Sequence, residues 1–115
     1  KYRYLIMSDE IQTTIKEVVE NNDVVLFMKG TKETPQCGFS NAVVNTLSFM
    51  NVDFKDVNVL ENDSLREGIK SFTDWPTIPQ LYVKGEFVGG CDIIQDMYKS
   101  GELSEVLKAK NISHS

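Results

Sequence analysis

The chain has 115 residues, with 12 Lys and Arg against 17 Asp and Glu and a formal net charge of −5. That length suits one domain with a real core, and the acidic balance argues against a nucleic-acid backbone as partner, which calls for a basic stripe. The composition, 41% hydrophobic and 25% charged, is that of an ordinary globular domain, and the longest wholly apolar run, Val24-Val25-Leu26-Phe27-Met28, is far too short to cross a membrane.

Lys1-Tyr2-Arg3-Tyr4-Leu5-Ile6 is too short and too mixed for the apolar region of a signal peptide, so a non-secreted protein is expected. Met7 followed by Ser8-Asp9 reads as a start with a helix cap behind it. Residues 1–6 then stand open as a genuine extension, a cloning remnant or the stump of a removed transit peptide. A helix is predicted over 8–21, capped by Ser8 or Asp9, with Ile11, Ile15, Val18 and Val19 on one face. Val24–Met28, rich in branched residues, reads as a strand buried on both faces. Residues 29–36 lack any period and contain Gly and Pro, so they form a loop.

A second helix fits from Gly38 to about Met50, with Val43, Leu47 and Met50 inward. Residues 52–60 alternate and read as a strand. Asn62-Asp63-Ser64 caps a helix through Ile69. Asp74-Trp75-Pro76-Thr77-Ile78-Pro79 is a break. Gln80–Val83 is a strand, Lys84-Gly85 a hairpin turn, and Glu86–Val88 its return. Gly89-Gly90 interrupts before a helix over 91–99. Leu103, Val106 and Leu107 mark a final helix, and residues 111–115 form a polar tail expected to fray. A right-handed β-α-β unit gives two parallel strands and the C-terminal hairpin two antiparallel ones. The prediction is one α/β domain with its core over about 8–110, a four-stranded mixed sheet flanked by about five helices.

Two cysteines, Cys37 and Cys91, are too few for a disulfide scaffold, and a single histidine leaves no four-ligand zinc site from N and S donors. A reducing compartment is therefore expected. Cys37 follows a polar loop and opens a helix, where free N–H groups and the helix dipole favour the thiolate. Lys29, at the end of the preceding strand, adds positive charge. Such a thiolate is both a nucleophile and a soft metal ligand. The run Cys37-Gly38-Phe39-Ser40 places a serine where a C-x-x-C motif has its second cysteine, so no disulfide closes within it. Turnover would need an external thiol or Cys91, which opens its own helix and is either a redox partner or a packed residue.

Cys37-Gly38-Phe39-Ser40, Trp75-Pro76-Thr77-Ile78-Pro79-Gln80 and Gly89-Gly90-Cys91-Asp92, in this order on this pattern, resemble the monothiol (CGFS-type) glutaredoxins over about residues 8–110. The resemblance implies a thioredoxin fold in its single-domain form and a glutathione site. It implies a cis Pro79, which turns the backbone of Ile78 toward the thiol to pair with an extended peptide, with Thr77 lining the same groove. Gly90, Cys91 and Asp92 would offer helix N-terminal N–H groups to one glutathione carboxylate, and Asp92 would accept from the ammonium. Lys29 and Arg66 would pair with carboxylate ends, with Lys70 one turn beyond Arg66 assisting. Phe39 stands between lid and core. Trp75 is expected to frame the Pro76 turn as a packed residue, and His114 to have no role.

A 2Fe-2S cluster takes four thiolates or equivalent ligands. One chain offers Cys37 and bound glutathione a second sulfur, so two of each complete the set. The resemblance implies this arrangement: a monomer when apo, a homodimer when holding a labile cluster with Cys37 as protein ligand. The expected function is carriage of that cluster from a scaffold to recipient apo-proteins, in bacterial cytoplasm or mitochondrial matrix. BolA-like proteins are implied as further partners. The alternative is an enzyme, a weak glutathione-dependent thiol-disulfide oxidoreductase acting through Cys37 on protein–glutathione mixed disulfides. The long loop 31–35 is expected to misplace glutathione for that attack. A third possibility is an adaptor whose fold serves partner binding.

Overall fold

Five apolar residues in a row, Val24–Met28, form strand β1, and every one of them is buried. A strand alternates its side chains between two faces, so an uninterrupted apolar strand requires cover on both. The computed structural model describes residues 2–115, with side-chain surroundings from Asp9 onward. Among the described residues, the other strands are β2 (Lys55–Asn58), β3 (Gln80–Val83) and β4 (Glu86–Gly89), and the helices are α1 (Tyr2–Asn21), α2 (Gly38–Phe49), α3 (Asp63–Thr73), α4 (Cys91–Ser100) and α5 (Glu102–Ala109). The sheet order is β2-β1-β3-β4. β1 runs parallel to β2 and antiparallel to β3, and β3 runs antiparallel to β4.

Val24, Leu26 and Met28 pack with Val43 and Leu47 of α2 and with Ile94, Leu103 and Leu107 of α4 and α5. Val25 and Phe27 face the other way, onto Ile15 and Val19 of α1 and Ile69 of α3. Burial of such side chains is worth about 1.5–3 kcal/mol each, so β1 alone contributes on the scale of a domain's whole net stability.

Several boundaries differ from the sequence reading. α1 starts at Tyr2, not at residue 8, so positions 8 and 9 stand inside the helix rather than at its start. Nothing in Tyr2–Met7 breaks a helix, and propagation adds one hydrogen bond for each residue fixed. The reading of Lys1 and of the Ser8 side chain lies outside the described residues. β2 pairs only over Lys55–Asn58, because its parallel partner β1 ends at Met28. Asn58 then takes the N–H of Leu60 on its side-chain oxygen at 3.0 Å, turning the chain into a 3₁₀ turn at Val59–Glu61. α3 is capped by Asn62, as its sequence suggests, but runs past Ile69 to Thr73 and ends on a left-handed Asp74. Gly89 belongs to β4 rather than to the break after it.

The tail is docked, not frayed. Ile112 is buried in the core, the Ser115 N–H donates to the Met50 carbonyl at 2.8 Å, and His114 Nε2 lies 2.9 Å from Ser104 Oγ. One apolar residue and two polar contacts together anchor the stretch.

Candidate functional site

Cys37 is the N-cap residue of α2, in extended conformation, and no side chain caps the helix. Its half-buried thiol therefore meets the free N–H groups of the first turn. Its pKa is lowered, first by the N–H of Ser40, then by the N–H of Phe39, the charge of Lys29 and the Ser40 hydroxyl, against burial, which pushes it up. Cys91 goes the other way. Burial raises its pKa, helped by the negative charge of Asp92 and by Cys37 itself. Both thiols are free.

The loop from Lys29 to Gln36 is closed and pinned. The Gln36 N–H donates to the Lys29 carbonyl at 2.9 Å, and Thr31 and Thr34 exchange backbone bonds of 3.1 and 3.2 Å. Gly30 has φ +89°, and a Cβ there would fall 2.6 Å from both Gln36 N and Thr34 O, so only glycine closes this loop. The Gly30 N–H donates to Asn58 Oδ1 at 2.9 Å, and the Lys32 N–H to Asp56 Oδ2 at 2.8 Å. The Lys32 ammonium donates to the Phe54 carbonyl at 2.9 Å and lies 4.9 Å from the Phe54 ring centroid.

A groove of about 370 Å³ is walled by Trp75, Thr77, Ile78 and Pro79 on one side, by Gly90, Cys91, Asp92 and Ile93 on the other, and by Phe39. The Ile78–Pro79 bond is cis. Gly90 is the N-cap of α4, again without a side-chain cap, which leaves an anion-favouring helix start on the wall. A Cβ at Gly90 would stand 3.2 Å from Trp75 Nε1 and 3.3 Å from the Pro79 carbonyl, so the walls meet closely there. An extended small peptide with a thiol and two carboxylates fits this donor set in kind: a thiolate at one end, backbone groups along the wall and a helix N-terminus. Among the described residues no cluster of three or more His, Cys, Asp or Glu is placed to hold a metal ion.

Residues 24–88 match the family described as Glutaredoxin. A probable monothiol glutaredoxin 2 of Rickettsia typhi is 57% identical over 94 residues, covering 82% of this chain and 85% of that protein. The chain belongs to the glutaredoxin family. Its Ser40 and its relatives place it among the monothiol members. The chloroplastic monothiol glutaredoxin-S7 of rice is 52% identical over 93% of this chain, but the match spans only 64% of the rice protein. For the chloroplastic monothiol glutaredoxin-S14 of Arabidopsis thaliana that share is 57%. The solution structure of reduced poplar apo GrxS14 superposes with a TM-score of 0.78 at 55% identity, covering 87% of this chain and 92% of that one. The fold is thus the thioredoxin fold of glutaredoxins. Relatives carry chloroplastic, mitochondrial and bacterial names, and no described helix is long and apolar enough to cross a membrane.

Of the residues expected at a glutaredoxin site, Phe39, Thr77, Ile78, Pro79, Gly90, Cys91 and Asp92 all line the groove. Cys37 and Lys29 are not among the lining residues; Cys37 is the N-cap of α2, two residues before the lining Phe39, and the charge of Lys29 acts on its thiol. Arg66 and Lys70 lie on α3 and are not among the lining residues, and Lys70 pairs with Glu67 at 3.3 Å. Trp75, expected only to frame the turn, is itself a wall of the groove, and its Nε1 is buried with no hydrogen-bond partner. Its place directly before Pro76-Thr77 was the available signal.

Proposed function

We propose that this glutaredoxin binds glutathione in the groove and carries a labile 2Fe-2S cluster between two chains, passing it to apo-proteins. One observation carries the reading: each chain presents one thiol of lowered pKa, Cys37, two residues before Phe39 of a peptide-sized groove, with Ser40 in place of a second thiol. Four ligands then require two chains and two glutathione sulfurs. A cargo held half by a diffusible ligand is easily surrendered, as a carrier needs. Within the groove, the backbone of Thr77 and Ile78 would pair with the glutathione peptide, the N-terminus of α4 at Gly90–Asp92 with a carboxylate, and Asp92 with the ammonium. Lys29 would meet the other carboxylate. Arg66 and Lys70 would act only at longer range. Donor scaffolds, recipient apo-proteins and a BolA-like partner belong to the same reading, as does a monomeric apo form.

The lowered Cys37 thiol also supports a second reading, monothiol exchange. The Cys37 thiolate would attack the glutathione sulfur of a mixed disulfide, releasing the protein thiolate. A second glutathione thiolate would then attack the Cys37–glutathione disulfide, giving oxidised glutathione and free Cys37. The pinned loop before Cys37 argues that this activity is weak.

The test mixes cluster-loaded protein with an apo-protein bearing a four-cysteine site and follows visible circular dichroism. Transfer faster than release of free iron supports carriage. Release into solution first, together with mixed-disulfide turnover like that of a dithiol glutaredoxin, would reverse the order of the two readings.

A further inference from the structure

Gln80 is a polar side chain with no exposed surface, in the middle of an apolar layer. It follows Pro79 and opens β3. Burying an amide is costly unless its groups are paired. Here both the oxygen and the nitrogen of the amide find partners. Its Oε1 accepts from the Tyr82 hydroxyl at 2.9 Å and lies 3.0 Å from Thr73 Oγ1, whose single proton is shared with the Ile69 carbonyl, also at 3.0 Å. Its Nε2 donates to the Trp75 carbonyl at 3.1 Å and to the Thr77 carbonyl at 3.2 Å. Those two carbonyls flank Pro76 in the wall of the groove. The amide therefore ties that wall to the end of α3 and to the core of the sheet.

The Thr77 carbonyl and the Ile78 N–H belong to one planar peptide unit, and in a trans unit they point in opposite directions. Drawing the Thr77 carbonyl inward turns the Ile78 N–H away from Gln80, toward the side on which Thr77 and Ile78 line the groove. The Trp75–Pro76 unit, held the same way, has no N–H to offer. We infer that Gln80 is a positioning residue: its buried amide sets the Ile78 N–H as the backbone donor that reads a peptide ligand in the groove. A buried network whose groups are paired holds one geometry and tolerates few others, so an extended peptide is preferred over anions without a backbone acceptor. The inference rests on the reading of the groove as a glutathione site.

The test is calorimetric titration of glutathione into wild type, Gln80→Met, the double variant Thr73→Val/Tyr82→Phe, and Leu81→Ala. Methionine matches glutamine in shape and lacks its donors. The double variant leaves the amide in place but frees its oxygen, so it reports even if Gln80→Met does not fold. Leu81 is equally buried but faces the opposite layer, which makes its variant a control for general loss of stability. Gln80→Met is expected to bind glutathione about tenfold more weakly, the scale of one lost buried hydrogen bond, and the double variant more weakly than Leu81→Ala. The pH midpoint of Cys37 alkylation should stay at the wild-type value, since the network does not touch Cys37. Affinity within twofold of wild type in Gln80→Met, or a loss no larger than in Leu81→Ala, would overturn the inference. Absence of binding by wild type would instead overturn the glutathione reading on which it stands.

Discussion

The backbone N–H of Lys29 donates to Oγ of the fully buried Ser40 at 3.1 Å, tying the exit of β1 to the first turn of α2. The same hydroxyl faces Cys37 and lowers its pKa. The serine that replaces a second cysteine is thus a structural anchor and a partner of the thiolate at once. Ser40→Ala should raise the Cys37 pKa only in part, because the Ser40 N–H, the larger cause, remains. It should also leave the Lys29 N–H unpaired, costing about 1–3 kcal/mol. Iodoacetamide rates against pH and denaturant unfolding read the two effects. An unchanged alkylation midpoint would contradict the account.

The two thiols titrate apart, Cys37 below and Cys91 above the ordinary thiol value. At a pH between them Cys37 is the thiolate and Cys91 the thiol, so brief alkylation should label Cys37 alone by peptide mass. The signs carry into stability. The lowered Cys37 pKa contributes stability that is present above the unfolded thiol pKa and lost as pH falls through the folded value. The raised Cys91 pKa contributes stability that is present below the unfolded value and lost as pH rises through the folded one. In Cys37→Ser the Cys91 midpoint should fall, since one of its raising charges is gone.

Asn58 Oδ1 receives two backbone N–H groups, from Gly30 and from Leu60, at 2.9 and 3.0 Å. It therefore holds both the loop before Cys37 and the turn before α3. Asn58→Ala should cost about 1–3 kcal/mol, and amide exchange should speed up at Gly30 and Leu60 before it does in β1. Uniform acceleration would show that the loop is held by other contacts.

Gly68 sits inside α3, where alanine would ordinarily gain about 0.5–1 kcal/mol. Here a Cβ would collide with Ile11 Cγ2 of α1. Overpacking costs about 1–3 kcal/mol, so Gly68→Ala should lower the melting temperature, and Ile11→Ala in the same chain should recover part of the loss. A stabilised single variant would mean that α1 moves away from α3 at little cost.

The sheet was legible because Val24–Met28 leaves no polar face and Lys84-Gly85 allows little but a hairpin. Cys37 was legible because a polar loop before a helix start leaves a thiol few other purposes. Gln80 and the groove face of Trp75 were not. Period and propensity say that position 80 lies in a strand, but which carbonyls its amide meets depends on where Thr73 and Trp75–Thr77 come to rest in space. The docked tail was missed for a related reason: a lone Ile112 in a polar stretch has no period to place it, and the core cluster it joins includes distant residues such as Val52 and Phe54. Arg66 and Lys70 show the converse. Spacing along a helix places them together, yet the groove forms without them.

The most direct measurement is anaerobic reconstitution with iron and sulfide, with and without glutathione, on wild type and Cys37→Ser, read by visible absorption and native mass. The account predicts a coloured dimer holding one cluster and two glutathiones, formed only by wild type and only when glutathione is present. A coloured species formed without glutathione, or by Cys37→Ser, would contradict it.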